Sequence, residues 1–277
     1  MQIKLTTVYI SLFVLAGLAG CGSGGIGPDA PQVSKEPEAV TIPTVTRGFY
    51  SGTLDSKEIL SFVTPDQDFF ALHFRSSTNP DIYSGKLSMG LNGAANVTNA
   101  GLRAYVGGGL KLGTASLTNS SLQTFSGIFN VASQLPLNFT VSAPATDVYQ
   151  VSSEASLSAL QGSWAGTWSD GLSTTGVSSP FTIAISSSGA MTLSTSSTVN
   201  SCQLSASLTP ISTVNIYKVA LTIPLLTGCV RTDGKFSELM LNGVAVIYKS
   251  PIAGKTSRLE LMAVDASGSG MSFRGDR

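Results

Sequence analysis

The strongest constraint on this chain is a side-chain period of two that runs onwards from Arg47. Successive residues of a strand point to opposite faces, so alternation of apolar and polar residues writes a half-buried strand into the sequence. Phe181, Ile183 and Ile185 alternate with Thr182, Ala184 and Ser186, and after Ser187-Ser188-Gly189 the pattern returns at Met191-Thr192-Leu193-Ser194. That is a hairpin pattern. Leu204, Ala206 and Leu208 face away from Gln203, Ser205 and Ser207; Tyr217, Val219, Leu221 and Ile223 face away from Lys218, Ala220 and Thr222; Leu259, Leu261 and Ala263 oppose Arg258 and Glu260. Nearer the start, Ile59 to Val63 and Phe69 to Phe74 flank Thr64-Pro65-Asp66-Gln67-Asp68 as another hairpin. Only Glu154 to Leu160 reads as a helix, barely two turns of it. Short strands separated by turns such as Asp233-Gly234 predict an all-β chain, built as an antiparallel sandwich or barrel rather than from βαβ units.

An internal echo divides this region in two. Gly48-Phe49-Tyr50-Ser51-Gly52-Thr53 and Gly162-Ser163-Trp164-Ala165-Gly166-Thr167 share the form Gly-x-aromatic-small-Gly-Thr, and each opens a series of hairpins. The aromatic plugs one end of a small sheet while the glycines permit a bend or close backbone approach. The reading is two small modules in tandem, 47–151 and 152–277, with one larger sandwich as the alternative. Charged residues make up 12% of the chain, against about 25% in average domains, so Ser, Thr, Asn and Gly must supply the polar surface. With a formal net charge of zero there is no basic surface to neutralise phosphates, which argues against a nucleic-acid partner.

The segment before Arg47 is different in kind. Lys4 precedes an apolar run from Val8 to Leu18, shorter than the roughly 20 residues a bilayer-spanning helix needs. The run ends in Leu18-Ala19-Gly20-Cys21, which resembles the lipobox of bacterial lipoproteins. The resemblance implies a signal peptide over 1–20, lipidation of Cys21 and a stable membrane anchor, since two or more acyl chains exceed the marginal hold of one. Gly22 stands where an aspartate would resemble an inner-membrane retention signal, so the expected address is the outer membrane, on its periplasmic face or at the cell surface. Residues 21–46, rich in Gly and Pro, read as a flexible tether of about 25 to 30 Å. Gly22-Ser23-Gly24-Gly25-Ile26-Gly27 matches a dinucleotide fingerprint, but neither a strand precedes it nor a helix follows. Lipidation of Cys21 leaves Cys202 and Cys229, which an oxidising compartment would pair; two buried free thiols are the alternative.

Constellations for catalysis, metals or cofactors are missing from the sequence. His73 is the single histidine, and it lies on the side of its strand opposite Phe70, Leu72 and Phe74, which reads as a solvated or edge histidine rather than a general base. Two cysteines and one histidine fall short of a tetrahedral metal site. Gly254-Lys255-Thr256 copies the end of a P-loop whose first glycine is replaced by Lys249. Asp66 and Asp68 suit either a turn or a cation. Arg274-Gly275-Asp276 spells an integrin-binding tripeptide that a free, flexible end would present.

Taken with Asp68-Phe69-Phe70, Ser187 to Met191 and Val214-Asn215-Ile216-Tyr217, the region from Arg47 to Phe273 resembles a group of two-module, β-rich proteobacterial lipoproteins, from which no activity carries over. Gly162-Ser163-Trp164 is also similar to the Gly-x-Trp that opens lipocalin barrels, and the resemblance implies that Arg274 packs on that tryptophan. The expected function is a non-catalytic, membrane-anchored envelope protein that binds an envelope or host protein or a glycan. The alternative is a calycin-like carrier of a small apolar ligand, with Trp164, Tyr217 and Phe236 lining a cavity or filling a core. A hydrolase would require a polar cluster around His73.

Overall fold

The computed structural model describes residues 47–75, 80–89, 94–106, 109–121, 123–150, 154–170, 178–195, 205–223, 238–267 and 270–277. These residues form two closed antiparallel barrels of eight strands each. The first contains β1 (Gly48–Leu54), β2 (Lys57–Val63), β3 (Asp68–His73), β4 (Asp81–Lys86), β5 (Ser88–Met89), β6 (Ala94–Val106), β7 (Gly109–Ser121), β8 (Thr124–Val131) and β9 (Leu137–Ser142). Neighbours in sequence pair in space, and the ring closes where β9 meets β1, from Ser51 opposite Ser142 to Leu54 opposite Phe139, and where β4 meets β6. The two-residue β5 adds a short extra pairing on β6. After the single-turn helix α1 (Leu157–Leu160), the second barrel runs through β10 (Gly162–Asp170), β11 (Ser178–Ile185), β12 (Ala190–Thr195), β13 (Ser205–Pro210), β14 (Tyr217–Ile223), β15 (Leu239–Lys249), β16 (Ser257–Val264) and β17 (Gly270–Asp276). It closes by pairing β10 with β17. The expected hairpins at 64–67 and 186–189 are present, while the expected helix is one turn rather than two.

Eight strands enclose just enough room for side chains, and both interiors are packed. In the first barrel Tyr83 stacks on Phe129 at 4.4 Å and Phe129 on Phe139 at 4.4 Å, while Tyr50 meets Phe125 edge-on at 4.8 Å. In the second, Trp164, Ile183, Leu208, Tyr217, Leu261 and Phe273 belong to one buried cluster. The repeated opening of the sequence is a repeated structure. Tyr50 and Trp164 both point inward, and two residues later Gly52 and Gly166 sit where the last strand of the barrel comes closest. A Cβ at Gly52 would stand 1.9 Å from the carbonyl oxygen of Thr140, and one at Gly166 would stand 2.0 Å from that of Arg274. Backbone cannot yield as a flexible side chain does, so Gly52→Ala and Gly166→Ala are each expected to destabilise by at least the roughly 1–3 kcal/mol typical of overpacking. Urea unfolding midpoints would measure it; a midpoint unchanged in both variants would show that these strands can separate freely.

Both barrels belong to one compact unit, and the seam between them has its own core. Phe49, Leu60, Phe62, Leu72, Phe74 and Ile82, all pointing outward from the first barrel, pack with Val244, Val246 and Met262 from the outside of the second. Tyr149 of the connecting segment and Ile211, Val214 and Ile216 of the β13–β14 loop complete the cluster. This explains a reversal of the sequence reading at His73. Phe70, Leu72 and Phe74 form the apolar side of β3 because they face the other barrel. His73 therefore points into the first barrel and is 2% exposed, neither solvated nor at an edge.

Candidate functional site

The seam carries most of the charge chemistry of the described residues. Among the side chains of β16 and β17 that point out of the second barrel are Arg258, Glu260, Arg274 and Asp276, three of them buried and Arg274 half-buried. Arg258 makes a two-pronged pair with Asp276, Nε to Oδ1 at 2.9 Å and Nη2 to Oδ2 at 3.0 Å, and Ser250 donates its hydroxyl to the same Oδ1 at 2.5 Å. Burial works against the Asp276 carboxylate, but the bonds from Arg258 and Ser250 prevail and hold its pKa below the usual value. Arg274 crosses the seam. Its Nε donates to Glu260 Oε1 at 2.5 Å, its Nη1 donates to Glu58 Oε2 on β2 at 2.8 Å, and the guanidinium lies 3.7 Å from the ring centre of Phe74.

Glu260 is fully buried, and Tyr248 also donates to its Oε1 at 2.9 Å. Desolvation pushes its carboxyl up to about 7, even though Arg274 and the Tyr248 hydroxyl pull the other way. Its second oxygen has no hydrogen-bond partner among the described residues.

Two grooves open along this seam. One, of about 360 Å³, is walled by Phe49 and Leu60 from the first barrel, Val148 from the connecting segment and Tyr248 from the second, with Glu58 and Arg258 at its polar edge. The other, of about 580 Å³, has Phe70, Leu112 and Val264 as apolar surface and Asp68, Lys86 and Arg103 around them. Asp68 and Lys86 pair at 3.3 Å, and Arg103 donates to the Ala266 carbonyl across the seam. Asp66 pairs with Lys218 at 3.1 Å.

The sequence-predicted residues fall in several places. Trp164 and Tyr217 are fully buried core with their polar ends satisfied. Trp164 Nε1 donates to the Leu160 carbonyl at 2.8 Å, and the Tyr217 hydroxyl donates to the Ser156 carbonyl at 2.8 Å. The arginine on Trp164 is Arg277, not Arg274. Its guanidinium lies 4.2 Å from the ring and donates to the carbonyls of Gln161 at 2.6 Å and Ala159 at 2.7 Å, tying α1 over the barrel end. Arg274 cannot reach that ring, because its parity on β17 sends it outward into the seam. The same pairing overturns the free-end reading of Arg274-Gly275-Asp276, whose two charged side chains are tied to Glu260, Glu58 and Arg258. Cys21, Cys202, Cys229 and Phe236 lie outside the described residues.

Around His73 there is a polar cluster. Nε2 lies 3.2 Å from the Leu54 carbonyl, Nδ1 lies 3.5 Å from Asp81 Oδ2, and Arg75 Nε reaches that oxygen at 2.5 Å. The Nε2 contact ties the end of β3 to β1, while Nδ1 and Asp81 Oδ2 make no hydrogen bond among the described residues. Among the described residues, no three His, Cys, Asp or Glu side chains converge to hold a metal ion.

The ionic network at the seam escaped sequence reasoning, although a signal was present. Arg258, Glu260, Arg274 and Asp276 put alternate charges on two short strands of a chain that is otherwise poor in charge. Comparison with protein-family models, curated proteins and solved structures finds no match to this chain.

Proposed function

We propose that this chain is an envelope lipoprotein, anchored through a lipid on Cys21, whose paired barrels hold a protein or glycan partner without acting on it chemically. The observation that carries the reading is the seam: two barrels with packed interiors are fixed to one another by an apolar layer and an ionic bridge, and grooves of about 360 and 580 Å³ flank it. Ligand sites occur preferentially at such interfaces and fall in roughly this size range. Sequence supports the rest. The lipobox Leu18-Ala19-Gly20-Cys21 speaks for the anchor and for outer-membrane sorting, and an oxidising compartment favours a bridge between Cys202 and Cys229.

The test combines anchor and seam. Capture from native envelopes with the full chain is expected to retain a partner, and at least a tenfold loss is expected when groove-rim residues are reversed in character by Leu112→Arg or Lys249→Glu. Both side chains are exposed, so the fold should tolerate the changes. Cys21→Ser is expected to abolish acyl labelling. Capture indifferent to both rim changes would overturn the seam reading, and continued acyl labelling of the Cys21 variant would overturn the anchor.

A second reading, a calycin-like carrier of a small apolar ligand, is favoured by one feature. Arg277 stacked on Trp164 beneath α1 closes one end of the second barrel in the way the lipocalin resemblance implies for an arginine and that tryptophan. Saturable enhancement of an apolar fluorophore would support it, and a flat titration would remove it.

A further inference from the structure

We propose that the larger groove of the seam binds a neutral glycan, with one sugar ring seated against Phe70. The inference rests on the non-catalytic binding reading and names its ligand class. Phe70 points out from β3 and is half-buried, its inner side packed on the seam core and its remaining surface open to the groove beside Leu112 and Val264. Around that apolar floor stand a carboxylate, an ammonium and a guanidinium. Asp68 and Lys86 are paired with each other at 3.3 Å, and their side chains are 40% and 68% exposed. Arg103 is pinned by its bond to the Ala266 carbonyl, which uses one of the five N–H donors of a guanidinium.

A sugar ring presents an apolar face of C–H groups and a rim of hydroxyls that both donate and accept. An aromatic floor bordered by alternating donors and acceptors complements both parts. The lining holds one carboxylate and two cations, and Asp68 supplies an acceptor that a hydroxyl can use and an anionic group cannot, which argues for a neutral ligand. An extended peptide fits less well, since among the described residues the closed barrels leave only the two-residue β5 as an edge with which its backbone could pair.

The experiment presents the full chain to an array of immobilised neutral and acidic glycans. Retention of neutral glycans is expected, with apparent affinity for the best-retained one falling at least tenfold in Phe70→Ala and in Arg103→Ala, and unchanged in Leu135→Ser, an exposed position that lines neither groove. Asp68→Asn, at an exposed position, keeps the test valid should Phe70→Ala fail to fold, and is expected to weaken retention severalfold. An array without retained glycans, retention of acidic glycans alone, or retention indifferent to Phe70, Arg103 and Asp68 would each overturn the assignment. If the array is blank while envelope capture returns a protein sensitive to Leu112→Arg, the glycan assignment falls and the seam reading stands. If capture also fails, both fall.

Discussion

Arg274→Ala is expected to destabilise the protein by about 3–5 kcal/mol, the range seen when one partner of a buried ion pair is removed and the other is left uncompensated. The abandoned group is Glu260, which is fully buried and has no other cation bonded to it among the described residues. The deficit should depend on pH in a defined direction. Glu260 titrates near 7 in the folded chain, above its ordinary value of 4.5, so the folded state binds more protons than the unfolded state between these limits. Its contribution is therefore fully present below about pH 4.5 and is lost as pH rises through about 7. Without Arg274 the carboxyl is held higher still, so the deficit is constant below about pH 7, where both proteins carry the proton, and grows by up to roughly 1.4 kcal/mol for each pH unit above 7 until the variant's carboxyl also ionises. Urea denaturation at pH 5 and pH 8 measures both effects. Glu260→Gln should flatten the dependence of the otherwise unchanged chain, and a slope that persists in this variant would assign the titration elsewhere. Replacing both partners by apolar residues, as in Arg274→Met with Glu260→Leu, is expected to recover most of the loss, because hydrophobic substitutes for buried ion pairs are often neutral or better.

Trp164→Ala should be as damaging, at about 3–5 kcal/mol, by a different mechanism. It removes the largest fully buried side chain of the second barrel, leaves the Leu160 carbonyl without its indole donor, and takes away the surface on which Arg277 lies. Trp164→Phe separates these effects. It keeps much of the packing and an aromatic face for Arg277 but loses the bond to Leu160, so a smaller loss of about 1–2 kcal/mol is expected. Arg277→Ala should loosen α1, whose carbonyls it binds, with faster amide exchange there and little change in the opposite end of the barrel. Equal stability of the Trp164→Ala and Trp164→Phe variants would show that packing at the plug contributes little.

These expectations rest on residues that were unequally legible. The alternation along β11 to β14 and the echo of Gly-x-aromatic-small-Gly-Thr followed directly from local physics. Strand parity decides which side chains point inward, and Gly52 and Gly166 mark places where any Cβ would strike a neighbouring carbonyl. Parity was misleading at β3, and for a reason that no window of sequence contains. It gives two faces but not which of them is the barrel interior once the outer face is also buried. His73 was therefore assigned to solvent, and Arg274 was assigned to Trp164 although Arg277, three residues further on, has the reach.

The amino-acid order by itself determined the all-β class and the two-part repeat, because these depend on periodicity and spacing. Tertiary structure alone decided barrel over sandwich, since closure depends on the pairing of β9 with β1 and of β17 with β10, strands more than eighty residues apart in each case. It also decided the seam. Burying Glu260 and Arg274 requires a second barrel to cover them, and a charge reads as solvated until the surface that excludes water from it has been placed.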